Sequence, residues 1–473
     1  MVAGATGKPG ASVTTAAAQP TAATPAPRAP DPLLSAPLLP TLLRFALPNM
    51  VAMLATALAA IAETAYVGSF GVPSLAGMAL VFPMVMLQMM MSAGAMGGGV
   101  SSAVSRALGA GDLARANALA VHAMVIGLAA GSAYTVLMLA LGPTIFAMLG
   151  GKGEALQQAV AYANVAFLGS IGVWLVNTFA SVIRGSGNMK VPSATLLAMS
   201  AGQVVLSGAL GLGWGPFPRW GMQGVAAGSL IVYTLSAAWL YVYLRSGKGR
   251  LRLNVAGTRL QWPLTRDILK VGAPALLSPL QTVLTILILT RLVSHFGTNA
   301  LAGYGIGTRL EFLLVPVAFA VGVASVPLVG MAIGAGKVAR ARKAAWTAAA
   351  VATAVLGALG LLLALVPGVW TERFTNDPAV LASAALYFQW AGPSYGLFGL
   401  GLCLYFSSLG AGKVAGVVLA GTLRLVLVAL GGALLAAAQT PPWTIFALVA
   451  TGMAAYGLAT VLAVRLTNWG PER

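Results

Sequence analysis

The chain has 473 residues, of which 59% are hydrophobic and only 8% charged, with a formal net charge of +18. Ordinary soluble domains carry about 25% charged residues, so a soluble globular enzyme is excluded, and apolar stretches long enough to cross a bilayer must occur. The basic residues fall in short segments between those stretches rather than on one soluble face, which gives no footprint for nucleic acid; the single cysteine, Cys403, excludes a disulfide or a Cys-rich metal site.

Residues 1–40 are rich in Ala, Pro, Thr and Ser and contain no apolar run of signal-peptide length. They read as a disordered cytoplasmic arm. Apolar segments follow near 44–68, 74–106, 114–142, 155–183, 191–213 and 221–245, and again near 267–295, 299–333, 340–367, 379–409, 413–436 and 442–466. The expected fold is therefore an all-α polytopic membrane protein of twelve transmembrane helices, with lobes at 41–245 and 267–473 joined by a basic linker at 246–266. Several segments exceed the roughly 20 residues that hydrocarbon requires, so they must tilt, bend or project. Pro48 marks a bend in the first.

Lys and Arg favour cytoplasmic loops. With the N-terminus inside, 21 of the 27 basic residues fall on inner segments and three on outer loops (Lys152, Arg219 and Arg373), while Arg291, Arg309 and Arg424 lie within spans. Both termini are expected in the cytoplasm.

The two halves repeat at a lag of 225 to 226 residues. Pro48 falls on Pro274, Phe70-Gly71 on Phe296-Gly297, LAG at 75–77 on 301–303, GAG at 109–111 on 334–336, ARA at 114–116 on 339–341, and GSG at 185–187 on GAG at 410–412. Each half has an even number of spans, so the halves insert the same way as parallel repeats, a layout typical of transporters.

These residues also carry a family resemblance, over nearly the whole chain from about 40 to 468. AETAYVGSFG at 62–71, LAGMALVFP at 75–83, the two GAG turns and RGSGNMKVP at 184–192 resemble the multidrug and toxic compound extrusion (MATE) family. The resemblance implies two six-helix bundles that export cations by alternating access. It further implies a bacterial inner-membrane antiporter, a small cationic amphipathic substrate, the lipid bilayer as surroundings, a monomer, and no cofactor beyond H+ as coupling ion.

An ionisable group at mid-span costs roughly 2.5 to 3.5 kcal/mol on insertion scales and is a functional candidate by default. Of nine acids only Glu63 and Glu311 lie within apolar runs. Glu63 stands where the family has its first-helix acid, which the resemblance implicates in coupling; here Glu replaces the usual Asp. A carboxyl in low dielectric favours its neutral form, so protonation and cation binding would compete for it. The family's proton-coupled branch supports that acid with an Asn and an Asp on the fifth helix and a Thr on the sixth. The matching residues here are Gln203, Ser207 and Ser229, so the second acid is missing. Gln203 and Ser207 share a helical face at i, i+4; a packing role is the alternative.

Glu311, in GTRLEFLLVP at 307–316, lies deep in the eighth span. Arg309 and Arg424 are the candidates for ion pairing there, with Arg424 the better placed partner for Glu311. The resemblance places acids of the sodium-coupled branch on the seventh and tenth helices, and the stretches 274–286 and 387–399 contain none, so Na+ loses support as coupling ion.

His122 reads as a hydrogen-bonded packing residue. Met84, Met86, Met89, Met90 and Met91, with Gln88 among them, offer adaptable surface to a hydrophobic cation or to lipid. Tyr304, Phe312, Trp390, Tyr395, Phe398 and Tyr405 could present cation-π faces; Gln88, Tyr304, Trp390 and Tyr395 are the cavity candidates. No P-loop occurs, so ATP is not the driver, and no DxxD or DDxxD pattern supports a membrane transferase. A lipid-linked oligosaccharide flippase of the same superfamily is the rival, needing a basic cavity that Arg184, Arg291, Arg309 and Arg424 could supply.

Overall fold

The computed structural model describes Gly4, Gly7 and residues 32–471, and among these every regular element is helical. Twelve spans emerge: α1 Leu38–Gly68, α2 Val72–Gly109, α3 Leu113–Met148, α4 (Gly153–Leu168 and Ser170–Gly185, bent by 45° at the junction), α5 Lys190–Gly213, α6 Gly221–Ser246, α7 Trp262–Ser294, α8 Thr298–Gly334, α9 Val338–Leu365, α10 Pro378–Ala411, α11 Ala415–Ala437 and α12 Trp443–Leu466. Their starts obey local chemistry. Asp112 accepts the Arg115 backbone N–H at 2.8 Å, and Asp377 accepts from Ala379 at 2.8 Å with Pro378 in the first turn, so orphan amides of α3 and α10 are satisfied.

One boundary differs from the sequence reading. Regular structure begins before residue 40, with a 3-10 turn at Pro32–Leu34 and α1 at Leu38. Leu33 and Leu34 pack on the core, and Arg340 donates to the carbonyls of Leu33 and Ala36 at 2.9 and 2.6 Å. Most of the Ala/Pro-rich arm lies outside the described residues. At Pro48 the helix continues without interruption, whereas after the equivalent Pro274 helix α7 is broken at Leu276. Other irregularities are π-helical segments at Met90–Met96 in α2 and Ala209–Gly213 in α5, and a 3-10 turn at Gly392–Ser394 in α10. Such segments re-aim side chains within a span without leaving backbone groups unpaired.

The repeat of the sequence is a repeat of close approaches. Gly71 and Gly297 precede α2 and α8 with φ of 106° and 93°, and Gly111 and Gly336 end the GAG turns with φ of 78° and 73°, conformations that favour glycine. Gly77 packs on Ala159 as Gly303 packs on Ala384, and Gly185 on Ser101 as Gly410 on Val326. Between the lobes the relation becomes reciprocal: Gly109 meets Met331, and Gly334 meets Arg106. Ser105 touches Gly330, its own equivalent, so this contact sits on the pseudo-two-fold axis.

The lobes are therefore sealed at the end bearing the GAG turns. Ser102 Oγ donates to Gly410 O across this seal at 3.1 Å, and Asp267 at the start of α7 holds Arg106 and Arg115 at 3.0 and 2.9 Å. Both described chain ends lie at the same end, where Arg342 donates to Thr467 O at 2.9 Å. The segment between α6 and α7 packs on the first lobe: Leu251 and Leu253 are buried, Arg252 N–H reaches Asn117 Oδ1 at 2.9 Å, and Gln261 N–H reaches His122 Nε2 at 2.8 Å. His122 Nδ1 lies 2.8 Å from Ala118 O, so this side chain fastens the linker to α3.

Candidate functional site

In the first lobe, α1, α5 and α6 converge on Glu63, which is 5% exposed. Its Oε1 accepts from Ser207 Oγ at 2.9 Å and Ser229 Oγ at 2.5 Å, and Gln203 Nε2 donates to Ser229 Oγ at 3.3 Å. The four residues singled out along three separate segments thus form one cluster. Close packing of α5 and α6 makes it possible. Gly224 and Gly228, one helical turn apart, lie against Leu210 and Ser207, the small-xxx-small arrangement that lets membrane helices approach. No side chain larger than hydrogen fits there, because a Cβ on Gly228 would come within 2.6 Å of Leu206 C and Ser207 Cα.

The cluster faces a cavity of about 70 Å³ lined also by Gln88, Met89, Tyr162 and Tyr233. That volume holds a few waters, at roughly 10–15 Å³ each, and no drug-sized molecule. Gln88 donates to Ser170 O at 3.4 Å, so this cavity candidate belongs to the small site. Among the described residues the ion pairs are those of Asp267 with Arg106 and Arg115, and none involves Glu63.

The serine hydroxyls give the site two arrangements. Ser207 has one proton and two acceptors in reach, Glu63 Oε1 at 2.9 Å and Val225 O at 3.0 Å. With Glu63 ionised, both serines can donate to it. With Glu63 protonated, its own O–H can donate to Ser229 while Ser207 turns to Val225 O. Every polar group keeps a partner in either state, which is what reversible proton exchange in a buried site demands.

The second lobe holds a larger cavity of about 410 Å³ between α7, α8, α10, α11 and α12, closed on one side by Met86, Met90, Gly94 and Ala95 of α2. Helical spacing splits the methionine cluster: Met86 and Met90, at i and i+4, face the second lobe, while Met89 faces Glu63. Glu311, Arg424, Tyr304 and Phe312 line the large cavity.

Several expectations are corrected here. Glu311 and Arg424 are not within ion-pair distance; Glu311 accepts instead from the hydroxyl of Tyr387, and Arg424 lies over the Phe398 ring at 5.2 Å. Arg309 projects outward and sits over Phe374 at 5.3 Å, because two residues from Glu311 turns it to another helical face. Trp390 is 40% exposed and stacks on Trp443 at 5.3 Å, on the outer surface of the lobe. Tyr395, 2% exposed, is buried behind the cavity wall rather than in it.

Comparison with known proteins adds the ancestry. The MatE family model matches residues 48–207 and 274–440, well over half of the chain and one match per lobe. The chain belongs to the MatE family. Among its relatives, a FAD transporter of Shewanella oneidensis is 24% identical over 362 residues, covering 76% of this chain and 79% of its own length. A probable multidrug resistance protein NorM of Thermotoga maritima is 26% identical over 358 residues, 73% and 74% of the two chains. A solved transporter of the MOP superfamily from Pyrococcus furiosus superposes with a TM-score of 0.84 at 22% identity, covering 92% of this chain and 97% of its own. The first and the last are named as transporters, and the last shares this chain's fold.

Sequence reasoning missed three residues that matter on this family frame. Gly224 and Gly228 carried a readable signal, the GxxxG spacing. Tyr387 carried none, because its pairing with Glu311 joins helices α10 and α8 from positions 76 residues apart.

Proposed function

We propose that the chain exports small amphipathic organic cations by alternating access, in exchange for protons that enter through Glu63, from a bacterial inner membrane in which both termini are cytoplasmic. The observation that carries this reading is a buried carboxyl group held by Ser207 and Ser229, with no basic residue within ion-pair distance among the described residues. An ionised, unpaired carboxylate away from water costs several kcal/mol, so this group gains from a proton, and the small cavity beside it admits that proton with water rather than the cargo itself. The two hydrogen-bond arrangements of the serines support both states. With the termini inside, the sealed end is cytoplasmic and the conformation is outward-facing, the state in which external protons reach Glu63.

The flippase alternative draws no comparable support. Arg184 is buried near the end of α4, Arg291 and Arg309 are exposed, and of the four arginines Arg424 alone lines the second-lobe cavity, so they form no common diphosphate site. Inverted vesicles given a proton gradient test the reading: they should accumulate an ethidium-like cation and release it when the gradient collapses. Accumulation on ATP with the gradient abolished, or movement of lipid-linked sugars instead, would overturn it.

A further inference from the structure

The segment between α6 and α7 carries charge and exposed apolar surface that neither lobe uses. It is pinned to α3 at two points, by Arg252 N–H on Asn117 Oδ1 and by Gln261 N–H on His122 Nε2. Between the pins the chain folds back on itself: Gly257 N–H donates to Asn254 Oδ1 at 3.1 Å, and Thr258 Oγ1 donates to Asn254 O at 2.8 Å. A recess of about 380 Å³ is left against α3, with Asn117, Arg252, Asn254, Thr258, Arg259 and Gln261 as its polar lining and no acid among them. Both arginines are exposed, and neither lies within 4 Å of a carboxylate among the described residues. The Oδ1 atoms of Asn117 and Asn254 are taken up by backbone N–H groups, which leaves their Nδ2 groups as donors. Two guanidinium groups and two amide donors suit a phosphate.

The depth of the recess decides what can reach it. Helix α3, Leu113–Met148, has 36 residues and is about 54 Å long at 1.5 Å per residue, against a hydrocarbon thickness of about 30 Å. Centred in the bilayer, it projects about 12 Å beyond the hydrocarbon at each end. His122, its tenth residue, stands about 13 Å from its start and marks the hydrocarbon edge; Asn117, about 6 Å from the start, lies in the headgroup layer. Next to the pin at His122, Leu260 and Trp262 are 62% and 67% exposed, at the level where lipid rather than water covers apolar side chains and where indole rings collect.

We propose that this recess binds the headgroup of an anionic phospholipid of the adjacent leaflet, of the phosphatidylglycerol class, with its phosphate between Arg252 and Arg259 and its acyl chains against Leu260 and Trp262. A seated lipid ties the linker, and with it the start of α7, to α3 of the first lobe. The orientation in the export reading serves only to name this leaflet as the cytoplasmic one; binding depends on neither the cargo nor the coupling ion.

Native mass spectrometry of the full chain in detergent, with dioleoyl phosphatidylglycerol or dioleoyl phosphatidylcholine added at equal concentration, reads the binding directly. Each basic residue beside an anionic lipid is worth about a factor of five, so the wild type should hold its tightest-bound phosphatidylglycerol at least tenfold more strongly than phosphatidylcholine. Arg252→Gln combined with Arg259→Gln should bring that ratio close to one, while Arg252→Lys with Arg259→Lys should keep most of it, since a phosphate also accepts a point charge. Arg245→Gln with Lys248→Gln removes as much charge from exposed positions of the same segment outside the recess and should leave the ratio unchanged; melting curves check that every variant folds. No preference in the wild type, a preference that survives loss of Arg252 and Arg259, or an equal fall in both glutamine pairs would overturn the proposal, the last by tracing the effect to the chain's overall positive charge. Displacement of the lipid by glycerol phosphate at equal concentration would overturn it as well, by assigning the recess to a soluble phosphate ester.

Discussion

Replacing Gly228 by alanine should uncouple transport while leaving both lobes folded. The added Cβ would stand 2.6 Å from Leu206 C and Ser207 Cα, where ordinary contacts run from 3.4 to 4 Å. Both neighbours are backbone atoms and cannot rotate away, so α6 must retreat from α5 by about 1 Å, at an overpacking cost of roughly 1 to 3 kcal/mol. Ser229, the next residue, moves with it. Its Oγ now lies 2.5 Å from Glu63 Oε1, and a retreat of that size carries it beyond the roughly 2.5–3.0 Å of an O–H···O bond. A hydrogen bond to a charged group contributes about 1.5 to 3 kcal/mol, which at 1.36 kcal/mol per decade is a fall of roughly 10- to 150-fold in the coupled rate. The assay is gradient-driven accumulation of ethidium in inverted vesicles, alongside a melting curve of the purified protein. Gly305→Ala, at a helical glycine with nothing within 4 Å of the added carbon, is the control and should behave as wild type. Because Gly228 acts through Ser229, the pair Gly228→Ala and Ser229→Ala should be strongly non-additive. Coupled transport by Gly228→Ala at the wild-type rate, with its melting temperature unchanged, would refute the reasoning.

Three further outcomes follow from the same geometry. Glu63→Gln keeps the side chain's size and removes the exchangeable proton, so gradient-driven transport should vanish with folding intact; wild-type transport by this variant, with loss in Glu311→Gln, would move the coupling to the second lobe. Asp267→Asn releases Arg106 and Arg115 from the seal, and because these groups are partly exposed each pair contributes at most about 1 kcal/mol. That is enough to raise the population open at this end, read as faster maleimide labelling of Ser102→Cys against a background in which Cys403 is buried; unchanged labelling would count against the seal. If one proton enters through Glu63 for each monovalent cation leaving, no net charge moves. A pH unit should then support export at about 1.36 kcal/mol, and a potential imposed with potassium and valinomycin at equal pH should support none; strong uphill transport in that condition would reject the one-proton scheme.

The twelve spans were legible in the sequence because a bilayer allows so few solutions. Every backbone polar group must be satisfied within the segment, so an apolar run of sufficient length becomes a helix whatever its neighbours do, and the expected and observed bounds differ mostly by a turn or so. The parallel repeat was legible for a related reason: glycines 71 and 297, and 111 and 336, are fixed by backbone conformations that few other residues adopt, so they recur at constant lag even where side chains have diverged. The early start of α1 was not legible, since what orders Pro32–Leu34 is a contact with Arg340, some 300 residues away.

The first-lobe cluster sits between these cases. The sequence supplied Glu63 as one of two acids in apolar runs, and the family resemblance supplied Gln203, Ser207 and Ser229, but that Ser207 and Ser229 share one carboxylate oxygen depends on how closely α5 and α6 approach. In the second lobe, composition gave Glu311 and Arg424 as charges of opposite sign in adjacent regions, which read as a pair. Only the tertiary structure decided otherwise. A hydrogen bond or an ion pair falls off over an ångström or two, far less than the uncertainty in the rotation of one long helix against another, so sequence could name the charged residues while the packing of α8, α10 and α11 chose Tyr387 for Glu311 and left Arg424 facing the cavity.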